Sequence, residues 1–272
     1  MPSTKDEPWR RTDLHSMPAG SFRLPQQVAD DRLITQEPPS RLLKPLLGDQ
    51  HGGQIILTAS GSKVELAPEL SRDGVVFTDL LSAEKDHPEL LEKIIGKIVP
   101  SQDGKFAALA GALAYTGVLV YVPRGVKVEK PLHSMLWGPG KDLAYISHIL
   151  VWLEDEAELT YLHETASDNE KDGSSLHVGN VEIHVGAGAQ LRFVELQSWG
   201  THVWNFTHER VQVEQDGNLE WTFGAIGSRL TKNFSEIDLV GRGATGKMSG
   251  FYFTNGKQHL DHDTQQNHLA PN

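Results

Sequence analysis

Hydrophobic residues recur at helical spacing in one stretch of the first half of the chain. The recurring positions are Leu90, Leu91, Ile94, Ile95 and Ile98. Asp86 and Glu89 form a capping-box pattern in front of them, and Pro100 interrupts the run. The pattern therefore predicts a helix that begins after Asp86 and ends before Pro100.

Shorter elements are predicted on both sides of this helix. Residues 54–66 indicate a strand, a glycine turn and a second strand. Asp103 is predicted to start another short helix that ends at Gly117, with one apolar side made of Phe106, Leu109, Ala110 and Leu113. Residues 1–50 are predicted to be irregular because prolines interrupt them, namely Pro8, Pro18, Pro25, Pro38, Pro39 and Pro45.

From Val118 onward the alternation has period 2, and the same pattern returns about every 30 residues. The anchor column is Val122, Leu153, Val185, Val213 and Leu239. Two residues earlier stand Val120, Val151, Ile183, Val211 and Ile237. Six residues later stand Val128, Leu159, Leu191, Leu219 and Thr245. Fourteen of these 15 residues are aliphatic, whereas a chain that is 38% hydrophobic predicts about six by chance.

A repeat of this length cannot bury its apolar face alone, so neighbouring units are expected to stack. The predicted fold is therefore mainly β, a parallel β-helix, and an ordinary β-sandwich or jelly roll is the alternative. A mostly small column, suited to a corner, is Val126, Ala157, Ala189, Gly217 and Gly243. A chemically mixed column, suited to a solvated or partner-covered face, is Tyr121, Trp152, His184, Gln212 and Asp238. The predicted division is an N-terminal segment of short strands and helices, 1–117, and a β-helix core, 118–272.

Charge and cysteine content exclude several classes of protein. A net charge of −11 argues against a general nucleic-acid binder and, more weakly, against docking on an anionic membrane. The absence of cysteine from these 272 residues excludes a disulfide scaffold, a thiolate nucleophile and a cysteine-held metal site within them. No apolar stretch is long enough for a transmembrane helix, and residues 1–11 are polar, so we expect a cytoplasmic protein.

A series of motifs runs from residue 7 to residue 272 in a consistent order. It includes Glu-Pro-Trp-Arg-Arg-Thr-Asp-Leu at 7–14, Phe-Thr-Asp-Leu at 77–80, a helix at 88–99 and Lys-Phe-Ala-Ala-Leu at 105–109. The most diagnostic segment is 120–133, and the series closes with His-Leu-Asp-His-Asp-Thr at 259–264 and His-Leu-Ala-Pro-Asn at 268–272. This series resembles the SufB/SufD family of iron–sulfur cluster assembly proteins, and its SufD members in particular.

The resemblance implies a right-handed β-helix that acts as a non-catalytic scaffold in the SUF complex. Family members pair with a SufB paralogue and with the ATPase SufC, whose ATP hydrolysis drives cluster building. Relative to the family, the chain lacks a helical stretch before the Trp-Arg motif and the C-terminal helical domain that docks SufC, so we expect a truncated form. The resemblance carries over no catalytic, cofactor-binding or metal-binding residue, and the full complex, rather than this fragment, is expected to handle the cluster.

Histidines and carboxylates near the end of the sequence are the densest group of candidate metal ligands. They are His259, Asp261, His262, Asp263 and His268. Side chains alternate between the two faces of a strand, so residues 259, 261 and 263 should lie on one face and residues 262 and 268 on the other. We therefore predict no physiological metal site here, and structural hydrogen bonding or solvent exposure instead.

Other polar and aromatic groups are expected to be structural. The acidic group is Glu154, Asp155, Glu156 and Glu158, predicted as a solvated loop with a calcium site as the alternative. The basic group is Arg124, Lys127 and Lys130, predicted as a solvated patch that could face an acidic partner. Residues 241–247 lack the spacing of a phosphate loop and are predicted as a corner. His202 and His208 are predicted as ordinary strand positions, and packing is predicted for Trp199, Trp204 and Trp221.

Two other functions stay open from the residues alone. The thirteen histidines motivate a metal-dependent, cupin-like β-fold enzyme. A polysaccharide-acting β-helix enzyme would need paired carboxylates on an exposed groove, and no convincing pair is present in the sequence. Unpaired strand edges at the end of the solenoid would favour pairing with another chain, so a homodimer is also expected.

Overall fold

The computed structural model describes residues 1–28, 37–43 and 50–271, and its main body is a parallel β-solenoid of about five turns. The predicted mainly β solenoid is therefore confirmed. The strands are β1 (Gly53–Thr58), β2 (Gly61–Leu66), β3 (Val76–Asp79), β4 (Thr116–Val122), β5 (Leu132–Trp137), β6 (Ala144–Leu153), β7 (Glu158–Ala166), β8 (Ser175–Val185), β9 (Gln190–Trp199), β10 (Val203–Val213), β11 (Asn218–Gly227), β12 (Leu230–Leu239), β13 (Thr245–Phe253) and β14 (His259–His268). The α-helices are α1 (Pro68–Arg72), α2 (Leu80–Asp86), α3 (Pro88–Ile94) and α4 (Lys105–Leu113).

Two seven-stranded sheets face each other. Sheet A has the order β13-β11-β9-β7-β5-β1-β2, and sheet B has the order β14-β12-β10-β8-β6-β4-β3. From β4 onward, successive strands alternate between the sheets, so each turn of the chain contributes one strand to each of them. We call the space enclosed between the two sheets the lumen.

The predicted repeat has the register that its alignment requires. Each anchor residue pairs with the next one along sheet B, from Val122 through Leu153, Val185 and Val213 to Leu239. The column two residues earlier pairs in the same way. These aliphatic side chains are buried in one continuous core cluster between the sheets. Stacked, non-adjacent segments of sequence thus bury one another, as a solenoid requires.

The alignment is wrong by one residue in its last unit. Leu219 on β11 pairs with Gly246 and not with Thr245, which pairs with Asn218 and is exposed. The corner before β13 holds one more residue than the corner before β11 does. The inserted residue moves Thr245 off the core face, since side chains alternate along a strand.

Most corners bend one residue before the position that the alignment assigned to them. In the first four units the residue with positive φ lies one place before the small column, at Gly125, Glu156, Gly188 and Asp216. In the last unit, whose corner is one residue longer, Gly243 of the small column itself has positive φ; all five values lie between 54° and 75°. This left-handed conformation is easy for glycine and tolerated by few other residues. The small residues that follow, such as the buried Ala157 and Ala189, instead pack into the core.

The N-terminal region extends both sheets. Strand β1 pairs in parallel with β5, and β3 pairs antiparallel with β4. Strands β1 and β2 form the predicted hairpin around Gly61. Backbone hydrogen bonds therefore join the two predicted domains, 1–117 and 118–272. The domain boundary itself stays a prediction. Among residues 1–28 and 37–43 the only helical segments are 3₁₀ turns, at Glu7–Trp9, Pro25–Gln27 and Ser40–Leu42, while Pro45 lies outside the described residues.

The predicted helix after Asp86 is shorter than expected and has a different start. Asp86 ends α2, whose N-cap is Asp79, and α3 begins after His87 without a side-chain cap. Helix α3 stops at Ile94 because the following backbone turns toward β8. There the amides of Gly96, Ile98 and Val99 donate to the Glu182 carboxylate at 2.8, 2.7 and 3.0 Å.

Glu182 is fully buried on the outer face of sheet B, where His148 also contacts it at 2.6 Å. Burial acts to raise the pKa of Glu182, but the hydrogen bonds from His148 and the amides outweigh it and hold that pKa below its usual value. This carboxylate thus fixes the segment after α3 against β8. A tertiary contact thus overrides the helical periodicity that continues to Ile98.

Helix α4 starts later than predicted. Residues Ser101–Asp103 form a 3₁₀ turn, and the α-helix begins at Lys105. Phe106 and Ala110 are buried as expected, whereas Leu113 is 46% exposed. Gly117 belongs to β4, where a β-carbon would lie 1.9 Å from the His148 carbonyl oxygen. Among the described helices, none is long and apolar enough to cross a membrane.

Candidate functional site

The lumen has two halves with different chemistry. Along β4, β6, β8, β10 and β12 of sheet B the inward residues near the C-terminal end are aliphatic, whereas those near the N-terminal end are mostly polar. We call the second region the polar half. Its residues on sheet A include Ser134, His163, Thr165, Glu195 and Gln197, and those on sheet B include Ser147, His177, Asn205, Thr207, Glu209, Thr231, Asn233, Ser235 and His262.

A hydrogen-bond chain crosses the polar half from one sheet to the other. Ser147 Oγ lies 2.9 Å from His177 Nε2, and His177 Nδ1 lies 2.6 Å from Asn205 Oδ1. Asn205 Nδ2 then donates to Gln197 Oε1 on sheet A at 2.7 Å, and Thr231 donates to the same oxygen at 3.2 Å. Buried polar side chains are stable when they are bonded in this way.

His163 and His177 of the polar half are neutral at physiological pH. Burial lowers the pKa of His163 to about 3 and that of His177 to about 4. The nearby imidazoles of His177 and His133 add to the effect on His163. His163 Nδ1 lies 2.8 Å from Ser134 Oγ, which also contacts the Tyr161 hydroxyl at 2.6 Å.

Two carboxyl groups face each other in the same half. Glu209 is 2% exposed and accepts hydrogen bonds from Asn233 Nδ2 at 2.9 Å and Ser235 Oγ at 3.0 Å. Glu195 comes from sheet A, is partly exposed and hydrogen-bonds to Glu209. Burial raises the pKa of Glu209, and burial together with the charge of Glu209 raises the pKa of Glu195 well above its usual value.

The sequence prediction missed the polar half, although a signal is present. The column six residues before the anchors carries only small or polar side chains, namely Thr116, Ser147, Gly179, Thr207 and Asn233. These positions have the same parity as the aliphatic columns and therefore point inward. Extending the alignment by four residues toward the N-terminus would have shown this polar column.

The predicted alternation at the end of the chain is observed. His259 and Asp261 lie on the outer face, where Thr12 contacts both and Lys232 Nζ lies 3.1 Å from Asp261 Oδ1. His262 and His268 pair in register with inward residues of β12. In the described part of the chain, no group of three or more histidine, aspartate or glutamate side chains is arranged to hold a metal ion.

The acidic and basic groups predicted as solvated are paired with each other at the corners. Arg124 bonds Asp155, and Lys127 bonds Glu158 on the neighbouring turn. Glu154 lies 3.2 Å from Lys93 Nζ. The basic patch is therefore largely neutralised within the chain. Among the described residues of that group, only Lys130 forms no ion pair.

The remaining candidates have structural positions. Of residues 241–247, which were predicted as a corner, residues 241–244 turn the chain between β12 and β13, and residues 245–247 already belong to β13. Trp199, Trp204 and Trp221 are buried, as expected for packing. His208 lies in β10, whereas His202 lies in the turn before it, contrary to the prediction.

Sheets A and B each end in a strand with one neighbour, β13 and β14 respectively. No other described strand pairs with the second edge of either one. Three consecutive aromatic residues of β13 are largely exposed, Phe251 and Tyr252 at 60% and Phe253 at 70%. Exposed apolar side chains grouped on one face of a sheet are typical of surfaces that contact another chain.

Comparison with known proteins gives two family matches that together span most of the chain. Residues 136–272 match the model described as SUF system FeS cluster assembly, SufBD core domain, and residues 56–133 match the SufBD protein N-terminal region. The iron-sulfur cluster assembly protein SufB of Bacillus subtilis (strain 168) is 34% identical over 204 residues, which are 75% of this chain and 44% of that protein. An iron-sulfur cluster assembly SufBD family protein of Staphylococcus epidermidis (strain ATCC 12228 / FDA PCI 1200) is 33% identical over the same shares. The chain thus matches less than half the length of these relatives.

Proposed function

Since the chain belongs to the SufBD family of iron–sulfur cluster assembly proteins, we propose that it is a non-catalytic scaffold component of the SUF system. In this role it pairs with a SufB-type paralogue and acts together with a SufC-type ATPase in the cytoplasm. The chemistry of the chain supports the proposal: its 272 residues contain no cysteine, the usual ligand of protein-bound clusters.

The observation that carries the proposal is an apolar patch on the outer face of sheet A. Phe251 and Phe253 of β13 are 60% and 70% exposed, and Ile226 of β11, which pairs with Phe253, is 45% exposed. The patch lies within the region that matches the SufBD core domain. A SufB-type partner docked on this face would cover these side chains. A second copy of this chain is the other possible occupant.

Size-exclusion chromatography with light scattering tests the pairing. The 272-residue chain, mixed with the SufB-type and SufC-type proteins of the same organism, is expected to elute with the SufB-type protein as one complex. Phe253→Glu should weaken that complex at least tenfold, because it places a charge in the covered surface. Leu113→Glu is the matched control, since Leu113 is exposed on α4 and does not belong to sheet A.

Separate elution of all three proteins would contradict the proposal. Equal binding by Phe253→Glu and the control would place the interface elsewhere. A homodimer that does not exchange with the SufB-type protein would indicate self-association instead. The cupin-like enzyme stays a separate prediction, which elemental analysis of untagged protein tests: about one tightly held metal ion per chain would support it.

A further inference from the structure

Glu195 and Glu209 are the least expected pair of groups in the molecule, because two acids share a largely dry space. The register places Glu195 next to His163 on sheet A, and Glu209 between Val181 and Ser235 on sheet B. Both line one small cavity inside the solenoid, together with the polar side chains on either side of them. The contact between them therefore joins the two sheets across the lumen.

Among the described residues, no positively charged side chain faces this pair. The titratable side chains that face it are His163 on β7, His177 on β8 and His262 on β14. Burial lowers the pKa of His163 to about 3 and the pKa values of His177 and His262 to about 4, so all three imidazoles are neutral at pH 7. The described lumen-facing residues of β6, β11, β12 and β13 include no lysine or arginine.

A hydrogen bond between two carboxyl groups requires a proton on one of them. Glu209 already accepts from Asn233 and Ser235, which favours its charged form. Glu195 has fewer such donors, with the Trp221 side chain beside it, so it is the better donor to Glu209. Its partial exposure also gives solvent protons access to the pair.

We propose that Glu195 and Glu209 form a proton-dependent clamp between the two sheets. With one proton, Glu195 donates to the Glu209 carboxylate and the clamp is closed. When that proton leaves to solvent, two like charges face each other in a poorly solvated space and the turns around β9 and β10 loosen. The clamp makes solenoid stability dependent on pH and does not rest on the proposed scaffold role.

The sign of the effect follows from the direction of the pKa shifts. Glutamate in the unfolded chain has a pKa of about 4.3. The folded protein binds the proton more tightly, so the clamp costs nothing below that pH and destabilises the protein progressively as the pH rises toward the raised pKa. One proton corresponds to at most about a tenfold change in the unfolding equilibrium constant per pH unit.

Urea unfolding between pH 5 and pH 9 tests the clamp. Glu195→Gln replaces the acid by an amide that can donate to Glu209 at every pH. The ratio of wild-type to variant unfolding constants should therefore rise with pH, by up to about tenfold per unit within the titration window. Glu220→Gln, an exposed position paired with Arg192, is the matched control and should leave the pH profile unchanged. A ratio for Glu195→Gln that stays constant within about twofold across this range would overturn the proposal.

A second measurement does not depend on the folding of a variant. Infrared spectroscopy of the folded wild-type protein at pH 7 should show the stretching band of a protonated carboxyl group, because the usual carboxylates are ionised at that pH. The band should disappear when the protein is unfolded in urea at the same pH, and in folded Glu195→Gln. Absence of the band from folded wild-type protein would also overturn the proposal.

Discussion

The same strands build two lumen halves that are stabilised in opposite ways. In the apolar half, residues such as Val151 and Ile183 are fully buried and pack against their equivalents on neighbouring turns. In the polar half, side chains such as His177 and Asn205 are equally buried but bond to each other. Burial of apolar area stabilises the first half without directional contacts, whereas the second depends on every partner being present.

This difference predicts which substitutions each half of the solenoid tolerates. Removing methyl groups from the apolar half leaves a cavity whose cost depends on local relaxation. Removing one member of the polar network leaves its partners buried and unbonded. The halves should therefore respond differently to polar substitutions, to apolar substitutions and to pH.

The largest effect is expected when a polar group enters the apolar half. Ile183→Asn removes a fully buried side chain and adds an amide with no partner in the aliphatic cluster. The cavity and the unsatisfied amide together should cost about 4 kcal/mol or more of unfolding free energy. Chemical denaturation measures this. Ile183→Val, expected to cost about 1 kcal/mol, is the control, and equal effects of the two variants would contradict the interpretation.

An apolar group in the polar half should have a smaller effect. Asn205→Leu removes the link between His177 and Gln197 and leaves both without that partner. The expected loss is about 2–3 kcal/mol of unfolding free energy, measured in the same way. A neutral or stabilising result would show that the network does not hold the two sheets together. Asn218→Leu on β11, at a partly exposed corner position, serves as the control.

The third substitution tests the acid sensitivity of the protein and is expected to change the unfolding free energy least at neutral pH. The pKa of His163 is about 3 in the folded protein and about 6.5 in the unfolded chain. The unfolded state therefore binds the proton first, so stability is complete above about pH 6.5 and falls as the pH drops toward 3. His163→Gln should flatten this part of the pH profile of the unfolding free energy.

His15→Gln is the matched control for acid sensitivity because His15 is on the surface. This substitution should leave the pH profile of the unfolding free energy the same as in the wild-type protein. An identical acid response of wild-type protein and His163→Gln would contradict the assignment of His163 as a buried neutral imidazole. Variants in the apolar half should lower the whole profile without changing its shape.

Much of the fold could be predicted because one feature repeats. The aliphatic columns at Val122 and Val120 identified the inward face and the pairing register of four successive strand pairs. The prediction was wrong at Thr245, where one extra corner residue changes the parity. Local spacing cannot show such an insertion when the last unit has no further unit after it to be aligned with.

Tertiary contacts caused the errors in the helical region. The apolar spacing at Ile95 and Ile98 favours a longer helix, but Glu182 binds the amides of 96, 98 and 99 instead. A carboxylate more than 80 residues away in sequence cannot be read from helical periodicity. The outward position of Glu182 could be predicted, but the segment that covers it could not.

The period of the repeat, the apolar rows and the alternation of His259, Asp261 and His262 could be predicted from the sequence alone. The reason is that a strand has only two faces and aliphatic residues mark the buried one. The contact between Glu195 and Glu209 inside the solenoid follows only from the three-dimensional arrangement of the two sheets. A polar residue in an alternating pattern is ordinarily assigned to solvent, and only the opposite sheet, placed over it by the return of the chain, turns that position into a buried contact.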